Sequence, residues 1–111
     1  MGLFEKDYLI RLLEQLTEMV AAIVAAIRGG KPRDALTTLA EAQQKLAGPL
    51  GASLERLDPG SVVSLLGPEK AQMHARLLRL EAEARDALGE TAAARAIEAR
   101  AGAIERAAPK G

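Results

Sequence analysis

Apolar and polar positions along the chain follow the period of an α-helix almost throughout. From about Glu5 to Arg28, Leu9, Leu13, Leu16, Val20, Ile23 and Ile27 recur alternately four and three residues apart. That spacing makes a seam suited to near-parallel helix packing. Leu12, Met19 and Val24 broaden the seam into a stripe that one neighbouring helix cannot cover. Gly29 and Gly30 stop this first predicted helix, and Pro32 opens a second. The second presents Ala35, Leu36, Leu39, Ala42 and Leu46, and Gly48-Pro49 ends it. A helix from Pro68 to Gly89 carries Met73, Leu77, Leu80, Ala84 and Leu88, with Leu78 beside them. A last helix runs from about Thr91 to Ala107 and has Ile97, Ala101 and Ile104 as its best core candidates; nine of the seventeen residues from Ala92 to Ala108 are alanine. Its small side chains bury little area, so it is expected to fray or to need a partner.

Between the two pairs, residues 50–67 are predicted to hold a helical turn or two around Leu54 and Leu57. Asp58-Pro59, a cap followed by a first-turn proline, would then start a short helix. Val62, Val63, Leu65 and Leu66 are its expected buried side. No stretch alternates with the period of a strand, and β-branched and aromatic residues are scarce. The expected fold is therefore all-α, one domain over residues 1–111 with about four to six helices. Its parts are a first hairpin over 5–48, a connector over 49–67 and a second hairpin over 68–108. The second helices share a faint tetratricopeptide spacing: Gly30, Ala35, Leu39 and Ala42 follow it, and Gly89, Ala94 and Ala101 repeat it. Glu98 stands where the large apolar residue belongs, and the register is not that of a true array of about 34-residue repeats.

The opening Phe4-Glu5-Lys6-Asp7-Tyr8-Leu9-Ile10-Arg11, continuing to Glu14-Gln15, resembles the start of a family of small bacterial helical proteins of unknown function. Those proteins open with a similar Lys/Asn-Asp-Tyr string leading to Arg and Glu-Gln. They continue with a second helix, a leucine-rich middle and a tetratricopeptide-like hairpin. The resemblance spans nearly the whole chain and implies a fold, not an activity. The alanine-rich last helix departs from the pattern.

Composition removes several kinds of chemistry. There is no cysteine, hence no disulfide framework, cysteine nucleophile or thiolate metal site, and a reducing, cytoplasmic location is expected. Fifteen basic and fifteen acidic residues cancel, and one Phe, one Tyr and no Trp leave few stacking surfaces. Nucleic acid is not an expected partner. Glu5, Lys6 and Asp7 interrupt any secretory leader. Arg11, Glu14 and Glu18 interrupt the Leu9–Ile27 stretch, where charges would cost roughly 2.5–3.5 kcal/mol each at a bilayer centre, so no membrane span is expected.

Candidate catalytic groups are thin. His74 is the only histidine, no second ligand stands at metal-binding spacing, and it reads as a partly exposed helix histidine. Glu81 with Arg85 and Arg79 with Glu83 read as solvent-facing pairs four residues apart. Ser53, Ser61 and Ser64 lack a nucleophile setting, and Gly30-Lys31 is followed by Pro32 rather than the Ser or Thr of a phosphate loop. No catalytic residue, metal site or cofactor is expected.

The most unusual local feature is Phe4, Tyr8 and Arg11 on successive turns of one face. With Leu16 and Val20 they form the candidate interaction patch, for a protein partner or for a second copy in a homodimer. Alternatively, Phe4 and Tyr8 staple the helix start to the core. The leading expectation is a non-catalytic interaction or self-association module. The alternative is a small-molecule sensor or enzyme with a pocket between the hairpins, into which Tyr8, Arg11 or His74 would point. A third reading, attachment of helix 1 to a membrane surface, is weakened by Glu14 and Glu18 on its polar face.

Overall fold

The computed structural model describes residues 3–109, with side chains from Lys6 onward. Six α-helices follow one another: α1 (Leu3–Arg28), α2 (Pro32–Ala47), α3 (Gly51–Leu54), α4 (Pro59–Leu66), α5 (Pro68–Ala87) and α6 (Thr91–Ala107). One tighter helical turn, Gly48–Leu50, joins α2 to α3. No strand occurs among the described residues, and no helix among them is long and apolar enough to cross a membrane.

Glycine and proline set the boundaries for local reasons. Gly30 and Gly89 turn the chain with φ of 75° and 84°, a region that side chains with a Cβ resist. Pro32, Pro59 and Pro68 occupy first turns, where a missing N–H costs nothing. At α4 the Asp58 carboxylate accepts from the Ser61 backbone N–H and, at 2.6 Å, from the Ser61 hydroxyl. Those bonds hold the Asp58 pKa below its usual value, the hydroxyl contributing most.

Leu12, Leu16, Val20 and Ile23 of α1 are buried against Ala35, Leu39, Ala42 and Leu46 of α2 and against Met73, Leu77, Leu80 and Ala84 of α5. The α1 stripe is indeed too wide for one neighbour, and its second neighbour is α5 of the same chain. A second core gathers Ala47, Leu54 and Val62 with Ala71 and Ala75 of α5 and Ala101 and Ile104 of α6. The connector seals this core, because α4 lies on both α5 and α6. Only one side of so short a helix can be buried: Val62 is enclosed, Val63 and Leu66 are partly so, and Leu65, expected inside, is exposed.

The alanine-rich α6 does not stand loose. It makes the most extensive helix pairing in the molecule, with α5. The small alanine side chains of α6 let it pair along α5, and ion pairs reach across. Arg79 of α5 holds Glu105 of α6 through two bonds and Glu98 at 3.3 Å. Arg79 therefore does not take the expected partner Glu83 on its own helix. Glu98 interrupts the apolar spacing because it faces solvent and this arginine.

Candidate functional site

Helix α5 has three occupied faces. Met73, Leu77, Leu80 and Ala84 meet the first core, and Ala71 and Ala75 meet the second. Between them, about a quarter-turn from each, lie His74, Leu78, Glu81 and Arg85. These four line the floor of a cleft of about 650 Å³. Helices α2 and α6 each pack on α5 without extensive packing on each other, which leaves the space open. Each wall is a stripe with helical spacing: Ala40, Gln43, Gln44 and Ala47 on α2, and Ala93, Ala96, Ile97 and Arg100 on α6. Gly51, Ala52, Leu54 and Glu55 of the connector close one end. Half of these eight wall residues are alanine, so the walls are low as well as partly apolar and stop short of each other.

The polar groups in the cleft are arranged by the protein. His74 is 8% exposed, not the partly exposed surface histidine its position suggests. Its Nδ1 lies 2.9 Å from Gln43 Oε1. An amide oxygen only accepts, so Nδ1 carries the ring proton and Nε2 keeps its lone pair. No hydrogen-bond partner for Nε2 occurs among the described residues, yet Nε2 is not sealed from solvent. Burial, helped by the positive charge of Arg100, pushes the His74 pKa down to about 4. The ring is therefore neutral at ordinary pH.

Arg85 is fully engaged. It donates to Glu81 at 2.9 Å and to Glu90, beyond the Gly89 turn, at 2.8 Å, and both bonds raise its pKa. The expected Glu81–Arg85 pair is thus present, on the cleft floor rather than a fully solvated face. Arg100 is placed differently. Its guanidinium donates to the Leu54 carbonyl oxygen, and no carboxylate among the described residues lies within ion-pair distance. Glu55 at the connector end is exposed and likewise outside any ion pair.

The sequence-predicted patch is not one surface. Leu16 and Val20 are 0% and 3% exposed inside the first core, so neither can meet a partner without unfolding the hairpin. The burial follows from α5 covering the part of the stripe that α2 leaves bare. Tyr8 is 62% exposed and Arg11 is exposed; Asp7 makes no ion pair with Arg11. The Phe4 side chain lies outside the described residues. Of Tyr8, Arg11 and His74, only His74 lines the cleft. Sequence reasoning missed Gln43 and Arg100 as cleft residues. Their one signal is a stripe of small residues flanking a longer polar one, and the same stripe also describes close helix packing. Among the described residues no group of three or more His, Asp or Glu side chains could hold a metal ion.

In comparisons with family models, curated proteins and solved structures, nothing matches this chain.

Proposed function

We propose that this protein is a non-catalytic binding module whose site is the cleft over α5 between α2 and α6. The observation that carries the reading is the cleft itself: about 650 Å³, partly apolar walls, and His74, Gln43 and Arg100 converging on it. Small-molecule sites have this size and this mixture of apolar lining with a few placed polar groups. The side chains are committed to recognition more than to proton transfer. Glu81 is held by Arg85, and His74 is kept neutral well below the pH range where a histidine base works best. A cytoplasmic location belongs to the same reading, consistent with the absence of cysteine.

The test is a fragment titration followed by amide chemical shifts. Shifts clustered on Gln43, Leu78, Ala96 and Ile97, and lost in Ala96→Trp, support the cleft. Ala96 is exposed, so the indole fills the opening without entering the core. Shifts elsewhere, or shifts that persist in Ala96→Trp, refute it.

A second reading, self-association, rests on Tyr8 and Ile10, 62% and 48% exposed on the part of α1 that runs past α2. Sedimentation equilibrium decides it: a dimer that Tyr8→Glu with Ile10→Glu dissociates supports it, and a wild-type monomer at every concentration removes it.

A further inference from the structure

Resting on the cleft as the binding site, we infer that its ligand is a small amphipathic carboxylate, with the carboxylate against Arg100 and His74 and the apolar body along Leu78, Ile97 and the alanine walls. The charge inventory of the cleft singles out this chemistry. Arg85 already faces two carboxylates, Glu81 and Glu90. Arg100 faces none, and the bond to Leu54 O uses one of its five N–H donors while fixing it at the cleft wall. A planar guanidinium with free donors in a partly enclosed site is matched by a carboxylate, through paired charge-assisted bonds.

His74 adds a second donor only when an anion is present. Every charged group lining the cleft around it can be named. Arg100 comes from α6, Glu55 from the connector, and Glu81 and Arg85 from α5, while α2 offers only the neutral Gln43 and Gln44. Burial disfavours a proton on Nε2, and the unbalanced charge of Arg100 adds to that. A bound carboxylate cancels that charge and accepts from the newly protonated Nε2, while Nδ1–H stays on Gln43 Oε1. Binding then takes up a proton, so affinity rises as pH falls. If the ligand restores His74 to its ordinary value, linkage gives about a three- to fourfold gain from about pH 7.5 to about pH 6. Glu55, exposed at the connector end, repels a bound carboxylate and lowers its affinity.

The experiment compares octanoate, octanamide and octylamine by amide shifts and calorimetry. Octanoate is expected to bind in the cleft about tenfold or more tightly than octanamide. Its affinity rises toward pH 6 while that of octanamide does not. Arg100→Gln removes the preference for the acid and leaves octanamide binding in place. Should that variant unfold, the wild-type acid-to-amide ratio and its pH slope still decide. Equal binding of all three in the cleft, or a preference for octylamine, overturns the carboxylate assignment and leaves the cleft reading standing. If none of the three perturbs the cleft residues, both fail.

Discussion

His74 couples folding to pH through a simple imbalance. In the unfolded chain its imidazole has an ordinary pKa of 6.5, and in the fold about 4. Between those values the unfolded state binds the extra proton, so stability falls as pH falls through this window. From about pH 7.5 to about pH 5 the loss attributable to this residue is about 2 kcal/mol. Asp58 and Glu105 also have lowered values, from 3.8 and 4.5, but their contributions fade mainly at lower pH. Urea titrations at the two pH values should show the loss in wild type and its near disappearance in His74→Leu. Leu16, fully enclosed, makes a contrasting prediction: Leu16→Ala should cost roughly 3 kcal/mol at every pH by opening a cavity, measured in the same titrations. The periodicity marks Leu16 and His74 equally as helical positions. What it does not carry is the neighbour. Leu16 was legible as apolar and on the stripe, but whether α5 or a second copy covers it depends on how the hairpins dock. His74 likewise reads as a surface residue until α2 and α6 are set on either side of it.

At the scale of elements, the pairing of α5 with α6 rests on close approach plus a surface ion cluster. Arg79, Glu98 and Glu105 are each two-fifths exposed or more, so the cluster is worth modestly more than solvent allows a single pair. Arg79→Met should cost about 0.2–1 kcal/mol at low salt, and most of the cost should vanish at about 0.5 M salt, read as a melting-temperature difference. Glycine positions along the same hairpin separate by conformation. Gly102 lies inside α6 with ordinary φ, and an added methyl would meet only the flexible end of Arg106 at 3.2 Å and of Arg79 at 3.6 Å. Gly102→Ala should therefore stabilise by about 0.5–1 kcal/mol through helix propensity. Gly89→Ala should destabilise by about 1–2 kcal/mol, since φ of 84° strains any residue with a Cβ. Thermal unfolding of the two variants checks both signs. Helix boundaries were legible in the sequence because Gly29, Gly30, Pro32, Asp58, Pro59, Pro68 and Gly89 act locally. The strength of α6 was not legible, because alanine reads as poor burial until a partner comes near enough to exploit its small size.

For the molecule as a whole, the accessible surface of 6958 Å² exceeds the roughly 5,900 Å² expected for a monomer of this mass. Two features of the described residues add to that surface. One is the cleft. The other is α1, whose 26 residues outrun the 16 of α2, so its first turns extend past the hairpin with Tyr8 and Ile10 in water. Against this openness stands α5, which supplies residues to both cores and contacts α1, α2, α4 and α6. Two hairpins stacked as nearest neighbours could melt one at a time. Here, losing the first hairpin would strip Met73, Leu77, Leu80 and Ala84 of their cover, and losing the second, which contains α5, would bare the part of the α1 stripe that α2 leaves uncovered. Neither half keeps a closed core alone. Unfolding should therefore be a single transition, with equal calorimetric and van't Hoff enthalpies. Hydrogen exchange should be slowest at the α5 amides and fastest in the first turns of α1. Leu77→Ala, at a site fully enclosed on α5, should lower that one transition by about 3 kcal/mol without splitting it. Two separate transitions, or α6 melting while α1 and α2 remain protected, would mean that α5 does not couple the hairpins, and that the cleft between them opens on its own.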